Sequence, residues 1–290
     1  MTSNGSNNGE TIFSIVIPTW NNLSLLQSCI TAIQQNTTIP YEIVIHVNEG
    51  SDGTVDWLKH QSFKFTYSET NIGICRALNI AVQQANAPYI VYLNDDMVVC
   101  PNWDSALFNV IKQLNTNAFM LSGTMIEPRE TRNPCVIVSN CGLSPETLDQ
   151  KKLIETSLQY YKKDWYGATW PPCVVHRQWW DKVGGYSEEF SPGMSSDNDF
   201  SMKMWQAGCR IFLGVGQSRV YHFMSKSTGK VVRNDGRKQF LKKWGITQTT
   251  FDRHYLRRGQ PAEGIVLREP DRSLLYYYDI LRSKLKLLVG

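Results

Sequence analysis

The sequence lacks the features that mark several large classes of protein. No apolar run reaches the roughly 18–20 residues that a helix needs to cross a bilayer, so no transmembrane segment is predicted. The seven cysteines are an odd number and include no C-x-x-C pair, which disfavours zinc fingers and disulfide frameworks and fits reduced thiols in a cytosol. The net charge of +4 is not gathered into a basic block, so a nucleic-acid partner is not expected.

Two phosphate-binding motifs and a signal peptide are also missing. The chain has neither G-x-G-x-x-G after its first predicted strand nor G-x-x-x-x-G-K-[ST], which disfavours dinucleotide-fold dehydrogenases and P-loop NTPases. The opening residues, MTSNGSNNGET, lack the apolar core of a signal peptide. Their Asn, Gly and Ser content predicts a disordered tail over residues 1–11. We therefore expect a cytoplasmic protein.

The first hundred residues alternate between strand and helix patterns. Short apolar runs rich in β-branched and aromatic residues predict four buried strands, at Phe13–Ile17, Tyr41–Val47, Phe63–Tyr67 and Tyr89–Leu93. Helical patterns lie in the intervals between these strands. Short strand–helix–strand crossovers are typical of a parallel sheet covered by helices. The sequence therefore predicts an α/β fold.

The fourth predicted strand ends abruptly in polar residues, Asn94, Asp95 and Asp96. Two adjacent acids at the end of a buried strand are costly unless positive charge compensates them. Ligands of open α/β sheets bind at the carboxyl ends of strands, and hard divalent cations take one or two carboxylates plus substrate phosphates. These residues favour a metal-assisted phosphate site at Asp95 and Asp96, with a polar turn of solvated acids as the alternative.

Three segments carry a resemblance to a known family. FSIVIPTWNN, EIVIHVNEGSDGT and ETNIGICRALNIAVQQANAPYIVYLNDDM resemble the nucleotide-binding half of family-2 glycosyltransferases, which have the GT-A fold. Asn94-Asp95-Asp96 stands where that family has Asp-x-Asp, so the resemblance implies that Asp96 binds a metal. Either Asn48 or Glu49 would face the base of the nucleotide. The implied contacts to the sugar-nucleotide donor are Pro18, Thr19, Asn21, Asn48, Glu49, Arg76, Asn94 and Asp95.

Two further acids, Asp197 and Asp199, lie at the start of a predicted helix, Asp199–Ala207. On spacing alone, Asp197 is a helix-capping carboxylate that complements the helix dipole. The resemblance implies another role, because an Asp-x-Asp pair before Ala207-Gly208 matches the family's catalytic motif, with Ser196 in place of its usual Glu. Asp197 would then be the catalytic base, kept ionised by the helix N-terminus, and Asp199 would contact the acceptor.

Two more candidate site residues lie in the second half of the chain. His222 ends a short predicted strand and is followed by Ser227-Thr228, a pattern similar to the family's closing segment, which implies that His222 is a metal ligand. An Asp/His/phosphate site suits Mn²⁺ better than Mg²⁺ because imidazole is a softer ligand. Trp170 belongs to an aromatic-rich stretch and is a candidate surface for stacking an acceptor sugar, with core packing as the alternative.

The last predicted helix, Asp271–Leu288, has a narrow apolar seam. Its members recur at spacings of four and three; they are Leu274, Tyr278, Leu281, Leu285 and Leu288. The seam would pack on its own domain, form a homodimer, or lie on a membrane surface with the help of neighbouring basic residues. The predicted organisation is thus a nucleotide-sugar-binding half over 12–125, an acceptor-binding half over 126–230 and a C-terminal helical extension over 231–290.

The resemblance implies an inverting glycosyltransferase that depends on Mn²⁺ or Mg²⁺. The donor would be a nucleotide-diphosphate sugar, and the acceptor a hydroxyl of a glycan or a lipid-linked molecule. Two other classes stay open. One is a non-catalytic module that binds sugar nucleotides or glycans, favoured by the departures at Asn94 and Ser196. The other is a metal-dependent phosphohydrolase that uses Asp95 and Asp96.

Overall fold

The computed structural model describes residues 10–225 and 234–289. Most of the predicted tail, residues 1–9, lies outside this range, as does the Ser227-Thr228 pair. Within the described part, no helix combines the length and the apolar character needed to cross a membrane. All seven cysteines are free and buried.

Ten strands form one mixed sheet. They are β1 Phe13–Trp20, β2 Tyr41–Asn48, β3 Lys64–Ser68, β4 Tyr89–Tyr92, β5 Met97–Val99, β6 Phe119–Glu127, β7 Ile137–Val138, β8 Trp165–Tyr166, β9 Cys173–His176 and β10 Ile211–His222. The order is β3-β2-β1-β4-β9-β6-β10-β5, with β7 beside β6 and β8 beside β10. Strands β3, β2, β1 and β4 are parallel, as the sequence predicts. Strand β9 runs antiparallel to both of its neighbours.

Helices cover both faces of the sheet. They are α1 Leu23–Asn36, α2 Thr54–Lys59, α3 Ile74–Val82, α4 Trp103–Gln113, α5 Gln150–Gln159, α6 Arg177–Val183, α7 Ser196–Gln206, α8 Gly236–Trp244, α9 Gln248–Thr250, which continues as a π-helical turn at Phe251–Tyr255, and α10 Leu274–Val289. Because side chains alternate along a strand, Ile15 and Ile17 of β1 pack with α1 and α4. Val16 packs on the opposite face, with α3 and α7.

The structure departs from the predicted elements in three places. The short strand predicted to end at His222 is the last part of a longer strand, β10, which is interrupted by a bulge between Val215 and Arg219. Strand β5 has no counterpart in the prediction, because three apolar residues after a polar turn give too short a periodic signal. Helix α7 begins at Ser196, three residues earlier than predicted, which places both of the candidate acids in its first turn.

The predicted boundary between residues 125 and 126 falls inside β6. Strands from both predicted halves therefore belong to one sheet. In the described part of residues 231–290 the regular elements are helices. Helix α10 packs against α8 and α9, and it is held there by Asp279, which accepts hydrogen bonds from Arg253 at 2.8 Å and His254 at 2.9 Å.

One close contact in the sheet gives a test of the fold. Gly214 of β10 lies against the indole of Trp165, and a Cβ at this position would overlap the ring. Trp165 has no room to move away, because it is buried and stacks on Trp170 with a centroid separation of 5.4 Å. We expect Gly214→Ala to lower the free energy of unfolding by about 1–3 kcal/mol through overpacking, measured by urea denaturation.

Gly264→Ala is the matched control, because the nearest atom to its added Cβ is 3.8 Å away. If Gly214→Ala and Gly264→Ala are equally stable, the close contact between Gly214 and Trp165 is wrong.

Candidate active site

A cavity of about 540 Å³ opens at the carboxyl ends of β1, β2 and β4, a volume suited to a small ligand. Seven of the predicted site residues line it together: Pro18, Thr19, Asn48, Asn94, Asp95, Asp96 and His222. The other wall comes from two segments joined by a hydrogen bond from the Ile74 amide to the Pro192 carbonyl at 3.2 Å. Residues that the sequence argument did not single out also line the cavity: Trp20, Asn22, Asn71, Gly73, Ile74, Arg129, Pro192, Met194, Met224 and Ser225.

Asp95 connects the ends of β4 and β1. Its Oδ2 accepts hydrogen bonds from Thr19 Oγ1 at 2.7 Å and from Asn22 Nδ2 at 3.2 Å. Burial and the neighbouring charge of Asp96 raise the pKa of Asp95 to about 7 in spite of these bonds. Asp95 and Asp96 are 8% and 6% exposed. The alternative of two solvated acids in a polar turn is therefore wrong.

Asp96 forms a charged cluster with His222 and Glu127. His222 Nε2 lies 3.3 Å from Asp96 Oδ2, and His222 Nδ1 lies 3.1 Å from Glu127 Oε1. The unpredicted pairing of β5 with β10 creates this contact, because it sets Met97 opposite His222. Burial alone would lower the pKa of His222, but the two carboxylates outweigh it and raise that pKa to about 10.

The same cluster has the opposite effect on Asp96. Burial raises the pKa of this carboxyl, but the hydrogen bonds from His222 and from the backbone amide of Ser225, at 3.0 Å, outweigh burial and lower it. Asp96 is therefore ionised at neutral pH, whereas Asp95 beside it is close to its midpoint. Two adjacent carboxyls in different environments can hold different protonation states.

The cluster also bears on whether a metal fits. In residues 10–225 and 234–289, there is no group of three or more His, Cys, Asp or Glu side chains that could hold a metal. Asp96 and His222 would supply two ligands, which is sufficient for a cation that takes its other ligands from phosphate and water. Glu127 orients the far nitrogen of His222, as carboxylates commonly do behind a metal-bound histidine. Since His222 is protonated without metal, ligation would release a proton.

Asn48 and Glu49 were the two candidates for the base of the nucleotide, and they are placed differently. Asn48 is buried and lines the cavity, and its Oδ1 accepts a hydrogen bond from the Ile72 amide at 2.9 Å. Glu49 accepts hydrogen bonds from Trp20 Nε1 and Asn21 Nδ2 beside the cavity. Neither Asn21 nor Glu49 is part of the lining. The geometry therefore favours Asn48 over Glu49 and Asn21 as a direct contact.

Asp197 is not part of the cavity lining, but two tyrosines connect it to Asn94 of that lining. Tyr186 donates a hydrogen bond to its Oδ1 at 3.0 Å. The ring of Tyr186 meets Tyr92 edge to face at 6.0 Å, and Tyr92 in turn donates to Asn94 of the lining at 2.7 Å. Burial raises the pKa of Asp197 to about 7, and the hydrogen bond from Tyr186 opposes it only in part. The expected effect of the helix N-terminus is therefore outweighed by burial.

Besides Asn21, Glu49 and Asp197, three other predicted site residues lie outside the cavity lining. Arg76 is 58% exposed on α3, and its nearest acid is Glu188 at 4.0 Å. Trp170 stacks on Trp165 within the aromatic packing of the fold, which favours the core alternative.

Asp199 is the third of these residues, and it is fully buried. It accepts a hydrogen bond from Trp244 at 2.8 Å and forms an ion pair with Lys243 at 2.9 Å. The geometry therefore does not favour the predicted donor contact at Arg76 or the predicted acceptor contact at Trp170, and the burial of Asp199 contradicts the predicted acceptor contact there.

Arg129 is the functional candidate that the sequence argument missed. Among the residues that the structure describes, it is the only lysine or arginine in the cavity lining. It follows the end of β6 by two residues, at the same edge of the sheet as Asp96. A basic residue just beyond the carboxyl end of a buried strand was the available signal.

Comparison with known proteins identifies the family. The profile of Glycosyl transferase family 2 matches residues 14–178, which is more than half of the 290 residues. The chain belongs to this family. The matched segment includes the ends of β1, β2 and β4, and therefore the acids of the cavity.

Two curated relatives belong to bacterial glycan synthesis. Chondroitin synthase of Escherichia coli is 21% identical over 240 residues, which cover 72% of this chain and 34% of that protein. O-antigen biosynthesis protein RfbC of Myxococcus xanthus is 23% identical over 226 residues, which cover 74% of this chain and 17% of that protein. The chain thus spans about a third or less of the length of these relatives.

The fold is similar to that of S. aureus TarS. The complex of TarS residues 1–349 with UDP-GlcNAc has a TM-score of 0.58 at 15% identity, over 80% of this chain and 64% of that one. The UDP complex has a TM-score of 0.54 over 73% of this chain and 60% of that one. This similarity confirms the predicted GT-A fold.

The environment of Asp197 predicts an unusual stability effect. Its pKa is 3.8 in an ordinary setting and about 7 in the folded chain. Between these two values the folded state binds more protons than the unfolded state, so this group destabilises the fold as pH rises through that window. Because asparagine resembles the neutral carboxyl, we expect Asp197→Asn to raise the melting temperature at about pH 8 and to have a smaller effect near pH 4.

Differential scanning fluorimetry at both pH values would measure this. Asp271→Asn, at an exposed position, is the control and should change neither value. A fall in melting temperature of equal size at both pH values for Asp197→Asn would contradict the argument.

Proposed function

We propose that the chain is an inverting glycosyltransferase that moves a sugar from a UDP-linked donor to a hydroxyl of a glycan acceptor. The observation that carries this proposal is the cavity at the strand ends, where Asp96 and His222 meet in a chain of family 2. UDP is the first nucleotide to test, because the similar TarS structure was solved with UDP and with UDP-GlcNAc.

The donor would lie with its base near Asn48 and its diphosphate near Asp96, His222 and Arg129. Asn48 presents an amide on the β2 side of the cavity, whereas the other three lie at the ends of β4, β6 and β10. A divalent cation held by Asp96 and His222 would neutralise charge on the departing diphosphate. Arg129 would add charge-assisted hydrogen bonds to phosphate oxygens.

Asp197 would act as the base. In its ionised form it would take the proton of the acceptor hydroxyl while that oxygen forms a bond to the anomeric carbon. The bond from the anomeric carbon to the diphosphate oxygen breaks at the same step, and UDP leaves with that electron pair. Attack from the face opposite UDP inverts the anomeric centre. A pKa near 7 suits a general base that works near neutral pH.

The acceptor we propose is a growing polysaccharide. The support is the names of the relatives, since chondroitin synthases and an O-antigen biosynthesis protein both concern glycan chains. A lipid-linked glycan is included in this class.

The test separates donor binding from transfer. We expect UDP-GlcNAc with Mn²⁺ to raise the melting temperature of the wild-type chain by mass action, and Asp96→Ala to abolish that rise. Asp197→Asn should keep the rise but lose about 100-fold or more of the transfer rate, since general-base catalysis contributes about 10²–10⁴-fold. Transfer is measured as UDP release that depends on added acceptor glycan.

Three outcomes would contradict the proposal. If no UDP-sugar raises the melting temperature, the proposed donor site is wrong. If Asp197→Asn transfers sugar at the wild-type rate, Asp197 is not the general base. Release of phosphate without an acceptor, and without preference for a sugar, would favour a phosphohydrolase.

The proposal that Arg129 rather than Arg76 contacts the diphosphate can be tested with two matched variants. We expect Arg129→Ala to weaken UDP-GlcNAc binding by about 10- to 100-fold, because it removes hydrogen bonds between charged groups worth about 1.5–3 kcal/mol. Arg76→Ala should bind as the wild type does, since Arg76 lies outside the cavity lining. Isothermal titration calorimetry would measure both. The reverse order of effects would restore the original assignment.

A further inference from the structure

Helix α10 exposes a continuous apolar stripe. Its members, here called the outward stripe, are Leu274, Tyr277, Tyr278, Leu281, Leu285 and Leu288. Exposure reaches 91% at Leu274 and 83% at Leu288. At 3.6 residues per turn these six side chains fall within an arc of about 100°, and the stripe is about 21 Å long at 1.5 Å per residue. An apolar patch of this extent on a folded chain marks an interaction surface.

The opposite face of α10 attaches the helix to the rest of the fold. Asp279 is buried and bonded to Arg253 and His254. Ser283 is fully buried, and its hydroxyl accepts a hydrogen bond from the Thr247 amide at 3.1 Å. The helix therefore has a fixed orientation, and this orientation directs the outward stripe away from the domain.

Cations border the outward stripe on both sides. On a helical projection Arg282 lies beyond the Tyr278 edge and Lys284 beyond the Tyr277 edge. Both are exposed, as is Lys286. The only acid in the sequence of α10 is Asp279, and the ion pairs on the inner face occupy it. The stripe therefore combines leucines at its centre, tyrosines at its edges and basic residues beyond them.

We propose that the outward stripe binds an anionic lipid surface, with α10 lying in the plane of the interface. Leucines would enter the acyl boundary, tyrosine rings would sit at headgroup level, and the long basic side chains would reach the lipid phosphates. A second copy of the chain fits this surface less well. Two stripes face to face would bring Arg282 and Lys284 of both copies together with no acid on either outward face to pair them.

The experiment is cosedimentation of the full chain with vesicles of phosphatidylcholine alone and of phosphatidylcholine containing phosphatidylglycerol. We expect stronger partitioning into the anionic vesicles, by about fivefold for each cation near the surface, and loss of that preference at high salt. Leu281→Glu combined with Leu285→Glu should reduce partitioning by at least about 100-fold, because each leucine contributes about tenfold or more.

Ile154→Glu combined with Leu158→Glu is the matched control. These residues have the same spacing on α5 and are also exposed, so this variant should bind vesicles as the wild type does. Melting temperatures confirm that each variant is folded. Equal loss of binding in both variants, or no binding of the wild type to anionic vesicles, would overturn the proposal. A dimer that the α10 variant dissociates, detected by light scattering without vesicle binding, would overturn it in favour of self-association.

Discussion

Two adjacent carboxyls buried at the end of β4 are the constraint on which the site depends. Each would be costly without compensation, and the fold compensates them differently. Asp95 receives neutral hydrogen bonds from Thr19 and Asn22. Asp96 receives a charged partner, His222, and a backbone amide from Ser225. The result is one carboxyl near its midpoint and one that is ionised, separated by a single peptide unit.

These compensating groups come from distant parts of the chain, which decides how much the sequence could predict. Strands β1 to β4 are local strand–helix repeats with clear periodicity, so their order and the strand-end position of Asp95 and Asp96 were predictable. The position of His222 depends on the antiparallel pairing of the three-residue strand β5 with β10. No local pattern encodes that pairing, so Glu127 behind His222 was not found.

The two acids at the start of α7 also show that local sequence does not specify tertiary contacts. Residues two apart on a helix point in directions about 200° apart, so Asp197 and Asp199 cannot share one site. Asp197 faces Tyr186, and Asp199 faces Lys243 and Trp244 of α8. The motif identifies both residues in the sequence, but only packing decides that Asp199 is fully buried while Asp197 stays partly exposed.

The charges of the site also explain why its protonation states differ so widely. His222 lies between two carboxylates, so its positive charge balances Asp96 and Glu127 when no other cation is present. Within residues 10–225 and 234–289, the side chain of Asp197 has no such cation as a hydrogen-bond partner and accepts its bond from the phenol of Tyr186. Burial therefore governs Asp197 and ion pairing governs Asp96. In one protein of family 2, a carboxylate suited to binding positive charge and a carboxyl suited to exchanging a proton arise from the same residue type through different neighbours.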